Sequence, residues 1–255
     1  MRLKDLWILI LVLLNSCSVP KNLISDNLES QFERIDENSG IYYLKLEVTN
    51  EMYNEFLSEI KNSDIELYER YKIDSTKWLK EGLGEYNDPL MRSYSSHEYM
   101  KDFPVVNITY EGARSYCEWL TKKIQKDNRQ IIFRLPTREE FMKLAETVNI
   151  EFGSDSPETY ESYNFNLRFE GDFATDGSVY PTISYATKNK MEAEGEQYIQ
   201  NNLGFYHVIG NVEELLENGQ SIGGSWYSYP SESLQVNNHK LPDPRVGFRI
   251  IMEKK

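Results

Sequence analysis

Three short motifs near the C-terminus constrain the fold of this 255-residue chain more than any other feature. Residues 210–215 read GNVEEL, residues 223–226 read GGSW and residues 247–249 read GFR; a fourth motif, RLPT, occupies residues 134–137. Glycine and proline punctuate the apolar stretches around these motifs, which is typical of strands that end in tight turns. The motifs therefore predict short strands separated by turns.

Three segments are predicted to be helices because each opens with a threonine that can cap it. Thr49, Thr109 and Thr137 each precede apolar residues at helical spacing. A threonine hydroxyl accepts a hydrogen bond from an amide of the first turn, and Glu140 adds a predicted capping box to Thr137. The predicted apolar faces are Tyr53, Phe56, Leu57 and Ile60; Ala113, Tyr116, Cys117 and Leu120; and Phe141, Leu144 and Ala145.

The strand signals are shorter than the helix signals. They lie at residues 41–48, 130–134, 179–185, 221–226 and 246–252. From residue 148 to residue 202 the periodicity is poor and turn residues are dense. A long irregular region inside a compact domain is usually functional or held by something extra, such as a metal ion.

The N-terminus carries the pattern of an exported chain. Arg2 and Lys4 precede an unbroken apolar run at residues 6–14, which is too short for a spanning helix of about 20 residues. It is typical of a secretory signal. The run ends in LNSC, which resembles a bacterial lipoprotein cleavage site and predicts lipidation of Cys17. The alternative is ordinary signal cleavage nearby, with Cys17 left as a free thiol.

These features divide the chain into three predicted parts. Residues 1–16 are the signal peptide, residues 17–39 are the lipidated cysteine and a polar tether, and residues 40–255 are one domain. Residues 62–103 form a helical and loop insert within that domain. No linker divides the domain, and no repeat of fixed period is present in the sequence.

Cysteine content and charge argue against an intrachain disulfide and against a nucleic-acid partner. The chain has two cysteines, so lipidation of Cys17 leaves Cys117 without an intrachain disulfide partner. Cys117 lies on an apolar helix face, which favours a buried, inert packing role. The net charge of −13 repels phosphate backbones, so no nucleic-acid partner is expected.

The four motifs, in their order, resemble the formylglycine-generating-enzyme (sulfatase-modifying factor) family. Residues 47–56, 104–120 and 204–214 carry further matching segments, so the resemblance covers nearly the whole domain. It implies an α+β fold, a variant of the C-type lectin fold, with much irregular chain held by bound calcium.

The resemblance also implies what is missing. Family members that oxidise sulfatases carry a reactive cysteine pair between the GGS and GFR motifs, and soft sulfur ligands select Cu(I). Residues 227–246 contain no cysteine, and Ser233 and Asn238 are interpreted as the positions that match the pair. No copper and no catalytic residue of that kind are therefore expected, which favours a chain that is not an enzyme.

Calcium is the cofactor that the resemblance favours, as a structural ion bound by oxygen ligands. His207 stands where the family supplies a further side-chain oxygen to the second site, which weakens that site. Asn164 is an alternative to Asn166 in the first site. The predicted ligands are Asn166, the Leu167 carbonyl, Asp176 and the Ser178 carbonyl in the first site, and the Gly210 and Val212 carbonyls with Glu214 in the second.

The substrate groove of the family is predicted to survive as a protein-binding cleft. Its candidate residues are Trp226, Tyr227, Ser233 and Asn238. Core packing is favoured over sugar stacking for Trp226. Glu213 and Leu215 stand where the family usually has tryptophans, so the local core must be rebuilt.

Segments of the insert resemble a narrower group, the lipoproteins of the Bacteroidota gliding-motility and type IX secretion machinery. The segments are residues 74–78, 86–90 and 103–106. The resemblance implies a non-catalytic, periplasm-facing outer-membrane lipoprotein with an envelope protein as its partner. One alternative is an oxidoreductase with other metal ligands, drawn from His97, His207 and His239. The other is a carbohydrate-binding surface lipoprotein, suggested by the lectin-like fold and 18 tyrosines.

Overall fold

The computed structural model describes residues 28–79, 88–125, 130–148, 165–168 and 201–254. Cys17, Asn164, Asp176, Ser178 and the predicted strand at 179–185 lie outside these described residues. Within the described ranges, no helix is both long enough and apolar enough to cross a lipid bilayer.

Five α-helices are present in the described part of the chain. They are α1 (Asn50–Ser63), α2 (Ile65–Tyr71), α3 (Asp88–Ser93), α4 (Tyr110–Gln125) and α5 (Arg138–Ala145). The three predicted caps are confirmed: Thr49 accepts from the Met52 amide, Thr109 accepts from the Gly112 amide, and Thr137 forms the capping box with Glu140. Helices α2 and α3 both belong to the insert.

In the described residues, seven short strands form two sheets. The strands are β1 (Phe32–Glu33), β2 (Ile41–Leu44), β3 (Ile131–Arg134), β4 (Glu213–Leu215), β5 (Ser221–Ile222), β6 (Val246–Gly247) and β7 (Ile251–Lys254). The first sheet has the order β1-β2-β7-β3 and is antiparallel throughout. The second has the order β5-β4-β6, in which β4 and β6 are parallel. Together with the helices, they make an α+β fold.

Three predicted strands are shorter than the sequence indicated. The strand predicted at 41–48 ends at Leu44. The strand predicted at 221–226 ends at Ile222, because Gly223 and Gly224 have φ values of 106° and 70° and turn the chain. The strand predicted at 246–252 is divided into β6 and β7. Between them, the carbonyls of Phe248 and Ile250 accept hydrogen bonds from the chain that links β2 to α1 and from the end of β2.

Helices α1 and α4 pack their apolar faces together with aromatic residues at the core. Tyr53 lies against Phe56 with ring centroids 5.3 Å apart, and Tyr116 lies 5.5 Å from Phe248 of the GFR motif. Cys117 is buried in the same cluster, and burial raises the pKa of its thiol. The predicted buried position of Cys117 is confirmed.

The insert is fixed to the body of the domain by its own aromatic cluster. Trp78 and Tyr94 are buried with ring centroids 4.8 Å apart, and they cluster with Phe103 and with Val212 of the GNV motif. Tyr94 donates to the Pro104 carbonyl at 2.6 Å. This packing places residues 75–79 beside the C-terminal motifs.

Candidate functional site

Arg249 of the GFR motif lies at the centre of a buried polar network. Its guanidinium donates to the Glu214 carboxylate at 2.8 and 2.9 Å and to the carbonyls of Leu44 and Tyr206 at 2.8 Å each. Burial raises the pKa of Glu214 to about 7, and the charge of Arg249 opposes that rise. Both side chains are fully buried, so the network ties β2, β4 and the 201–212 segment to one residue.

This arrangement bears on the second predicted calcium site. Both carboxylate oxygens of Glu214 accept hydrogen bonds from Arg249, so the side chain already has a cation as its partner. A calcium ion at Glu214 would have to displace the guanidinium. In the predicted set of Gly210, Val212 and Glu214, the carboxylate is therefore already bound to Arg249 and is not available to coordinate calcium.

Asn211 of the GNV motif joins three segments. It adopts a left-handed backbone with φ of 62°, and its side-chain Nδ2 donates to the carboxylate of Glu47 at 2.8 Å. Its side-chain oxygen accepts from Asn166 at 3.0 Å, and its carbonyl accepts from the Trp226 amide at 3.0 Å. Glycine is required before it, since a Cβ at Gly210 would lie 2.7 Å from the Asn166 carbonyl oxygen.

The first predicted calcium site is described only in part. Asn166 and Leu167 are buried beside the GNV motif, and the Asn166 carbonyl accepts from the Asn211 amide at 2.7 Å. Asp176 and Ser178 lie outside the described residues. The side chain of Asn166 and its backbone carbonyl thus both make hydrogen bonds within the domain.

A cluster around His239 is the principal feature that the sequence did not predict. Its Nε2 lies 2.9 Å from Glu213 and its Nδ1 lies 3.6 Å from Asp243. Burial alone would lower the pKa of His239, but the neighbouring carboxylate of Asp243 and the hydrogen bond to Glu213 outweigh it and raise the pKa to about 9. Burial likewise opposes ionisation of Glu213, but its hydrogen bond with His239 holds the carboxyl pKa below its usual value. At neutral pH the cluster is an imidazolium between two carboxylates.

Glu213 is also held by Ser221 and Asn237. The Ser221 hydroxyl donates at 2.7 Å and the Asn237 amide donates at 3.2 Å. A buried carboxylate is tolerated in β4 because these donors and His239 satisfy it. Leu215, on the same strand, packs into the main apolar core. This is how the core is rebuilt at the two positions where tryptophans were expected.

The four predicted cleft residues do not share one surface. Trp226 is 1% exposed and its indole donates to the Pro244 carbonyl at 3.4 Å, which supports a packing role. Ser233 is fully buried, and a Cβ added at Gly224 would lie 3.1 Å from its hydroxyl. Tyr227 is partly exposed, and Asn238 is exposed. The predicted cleft is thus corrected, because Trp226 and Ser233 contribute no accessible surface.

Asn238 lies instead in a pocket between the insert and the C-terminal loop. The pocket has a volume of about 590 Å³ and is lined by Thr76, Lys77, Leu79 and residues 238–243. We call it the insert pocket. His239 and Asp243 of the buried cluster form part of its lining, so the pocket and the cluster are continuous.

A comparison with protein families settles the kinship. The model of the sulfatase-modifying factor enzyme 1-like domain matches residues 37–254. The chain belongs to this family. In this chain Arg249 of the GFR motif and Asn211 of the GNV motif each join segments that are distant in sequence. Among curated proteins, none matches the chain in sequence.

Solved structures are similar to this family member at low sequence identity. The crystal structure of CarF is 18% identical, covers 84% of this chain and 87% of its own, and has a TM-score of 0.51, which shows a shared fold. Treponema denticola variable protein 1 is 14% identical over 88% and 91% of the two chains, with a TM-score of 0.49. PvdO from Pseudomonas aeruginosa is 18% identical over 60% and 63%, with a TM-score of 0.32.

The residues around the GGS motif do not fit the copper ion of the sulfatase-oxidising family members. Copper(I) is selected by soft thiolate ligands. Here the side chains are hydroxyls: Ser225 and Ser228 lie 3.2 Å apart, and Ser233 is buried nearby against Gly224. Cys117, the free cysteine of the described residues, is buried in the core. No oxidation step can therefore be derived through thiolate-bound copper.

The three histidines are not brought together. His97 caps a short turn by accepting from the Tyr99 amide at 3.1 Å, His207 is buried with φ of 48°, and His239 belongs to the Glu213 cluster. In the part of the chain that the structure describes, no group of three or more His, Cys, Asp or Glu side chains is arranged to hold a metal ion. The alternative three-histidine site therefore gains no support from the geometry.

Proposed function

We propose that this chain is a lipid-anchored envelope protein that uses its sulfatase-modifying-factor domain to bind another protein. The observation that carries the proposal is the state of the GGS region. The family fold is kept, but Ser233 and Asn238 stand at the positions interpreted as the cysteine pair. The buried side chains described around the GGS motif are the hydroxyls of Ser225, Ser228 and Ser233. A fold that lacks the family's redox ligands can still present its surface loops to a partner.

The proposed location follows from the N-terminal sequence. The apolar run at residues 6–14 and Cys17 support export followed by lipidation. A lipoprotein with several acyl chains stays on the membrane, because each buried CH2 group contributes about 0.8 kcal/mol. We place the chain at the outer membrane, facing the periplasm, in an envelope assembly of secretion or gliding type.

A structural calcium ion is part of the proposal, but only at the first predicted site. Asn166 and Leu167 lie where an ion could brace the chain between residues 148 and 202 against the GNV motif. Carboxylate and carbonyl oxygens from Asp176 and Ser178 would complete a set that calcium prefers. Glu214 is not included among the proposed calcium ligands, because its carboxylate forms an ion pair with Arg249.

The two alternative functions have weaker support. An oxidoreductase would need a metal centre, and His97, His207 and His239 are dispersed among separate contacts. A sugar-binding protein would need an open aromatic face. Trp226 is buried, and the ring of Tyr227 is faced by Arg168 and Arg245 at 5.2 and 5.3 Å.

Crosslinking in cells tests the proposed function. The tagged full-length chain is crosslinked, purified from membranes and analysed by mass spectrometry. We expect one envelope protein at near-equal stoichiometry. The Cys17→Ser variant serves as control: it should lose the membrane fraction and, with it, the partner. Recovery of the wild-type lipoprotein alone would contradict the proposal.

A further inference from the structure

The walls of the insert pocket are joined by one buried residue. The Asn107 amide donates to the Asp243 carbonyl at 3.3 Å, and the Asn107 carbonyl accepts from the Asp74 amide at 2.9 Å. Asn107 is fully buried and has φ of 61°, so its backbone is set in an unusual conformation between the two walls. Trp78, buried beside Tyr94, anchors the insert wall between Lys77 and Leu79. These contacts hold residues 74–79 of the insert next to the loop at residues 238–243.

The chemistry of the pocket differs from that of the whole chain. Lys77, Lys240 and His239 line it, and His239 is an imidazolium at neutral pH. The carboxylate of Asp243 faces His239 and accepts two hydrogen bonds of 2.8 Å from Arg245, so its charge is compensated. Lys77 is also paired with Asp74, and His239 lies between Glu213 and Asp243, so among the described residues Lys240 supplies the positive excess of the pocket in a chain of net charge −13.

Two leucines add an apolar rim. Leu79 is 53% exposed and Leu241 is 69% exposed, and both line the pocket. Exposed leucines are common, but these two lie at the same concavity and offer apolar area that a bound partner would cover. Burial of their side chains would contribute roughly 25 cal/mol for each Å² of apolar area removed from water.

We propose that the insert pocket binds the partner protein through an acidic peptide segment whose carboxylate lies next to an aliphatic side chain. This inference rests on the proposed protein-binding function and gives the chemistry of its partner. The carboxylate would meet the two lysines, and the aliphatic side chain would meet the two leucines. An extended polyanion, such as an anionic bilayer, suits the pocket poorly because the rest of this acidic chain repels it.

Site-specific photo-crosslinking tests the occupant. A benzophenone amino acid replaces Asn238, which is exposed and lines the pocket, in the full-length chain expressed in cells. Mass spectrometry then identifies the crosslinked segment. We expect a segment of another protein with Asp or Glu adjacent to Leu, Ile or Val. A crosslink to lipid, to a second copy of this chain, or to a segment without a carboxylate would overturn the proposal.

A matched pair of charge reversals supplies the control. Lys77 and Lys101 are 32% and 33% exposed, and each is paired with an acid three residues earlier, but Lys101 does not line the pocket. Lys77→Glu should reduce the crosslink yield by about tenfold or more, since like charges at an interface are costly. Lys101→Glu should leave the yield unchanged. Equal yields from the two variants would overturn the proposal.

The two proposals can fail separately. If the wild-type chain copurifies with a partner and Lys77→Glu retains it, the protein-binding function stands and the insert pocket is not its site. If the wild-type chain recovers no partner, the protein-binding function itself fails. Thermal unfolding of Lys77→Glu should match that of Lys101→Glu, because exposed ion pairs contribute little to stability.

Discussion

Single residues explain the motifs that carry the family resemblance. The sequence indicated that Arg249 and Asn211 matter, but not what they touch. Arg249 neutralises Glu214 at the centre of the domain, and Asn211 links Glu47 to Asn166. These contacts join residues up to 164 positions apart, so no local pattern in the sequence could have revealed them.

Removal of one partner from the central ion pair should be severe. In Glu214→Ala, the buried guanidinium of Arg249 loses its carboxylate, and breaking such a pair costs about 3–5 kcal/mol. Urea unfolding of the purified chain measures the loss. Glu217→Ala is the control, because Glu217 is largely exposed and should change stability little. A loss in Glu214→Ala as small as that in Glu217→Ala would contradict the assignment.

The His239 cluster predicts a pH dependence with a definite sign. The pKa of His239 is raised from its ordinary 6.5 to about 9 in the folded chain. Its stabilising contribution is therefore complete below about pH 6.5 and is lost as the pH rises through about 9. The stability difference between wild type and His239→Gln should be large at pH 6 and small at pH 10. His97→Gln, at an exposed position, is the control. A difference that does not change with pH would refute the account.

At the scale of elements, the sequence predicted those structures whose stabilising contacts lie within a few residues of one another. A helix cap depends on residues three positions apart, so the sequence located α1, α4 and α5 by their threonines. Sheet order depends on distant partners. The parallel pairing of β4 with β6 could not be predicted from the sequence pattern.

The contribution of the α5 capping box to the free energy of unfolding should be measurable with single substitutions at Thr137. Glu140 bonds back to the Thr137 amide and also holds Arg134 at 2.7 and 2.8 Å. Thr137→Ala removes the hydroxyl that accepts from the Glu140 amide, and loss of such a cap costs about 0.5–2 kcal/mol. Chemical denaturation should show this loss in Thr137→Ala and its recovery in Thr137→Ser. Equal destabilisation by the two substitutions would mean that the cap does not matter.

At the scale of the whole molecule, the site was the least predictable feature. Resemblance placed Trp226 and Ser233 in a cleft, but tertiary packing buries both. The cluster of Glu213, His239 and Asp243 had one sequence signal, an acid at position 213 where the family usually has a tryptophan. A buried acid needs a hydrogen-bonding partner, but the sequence does not show which residue that is, because His239 lies 26 residues further along the chain.

The proposed calcium ion gives a prediction for the whole domain. An ion that binds only the folded chain raises its stability by about 2.7 kcal/mol at 100 times its Kd. Chelator should therefore lower the melting temperature of the full chain, and calcium but not magnesium should restore it. The Asp176→Asn variant should melt at the lower temperature without chelator. An unchanged melting temperature after chelation would remove calcium from the account.

The central claim is that this domain keeps the family fold without its redox metal centre. The most direct test is elemental analysis of the full-length chain purified from its own membranes, with copper and iron measured per mole of protein. We predict neither metal at stoichiometric amounts, because Ser233 and Asn238, at the positions interpreted as matching the family's cysteine pair, supply a hydroxyl and an amide rather than thiolates. One equivalent of copper or iron, reduced on replacement of His97, His207 or His239, would contradict the claim and identify an oxidoreductase.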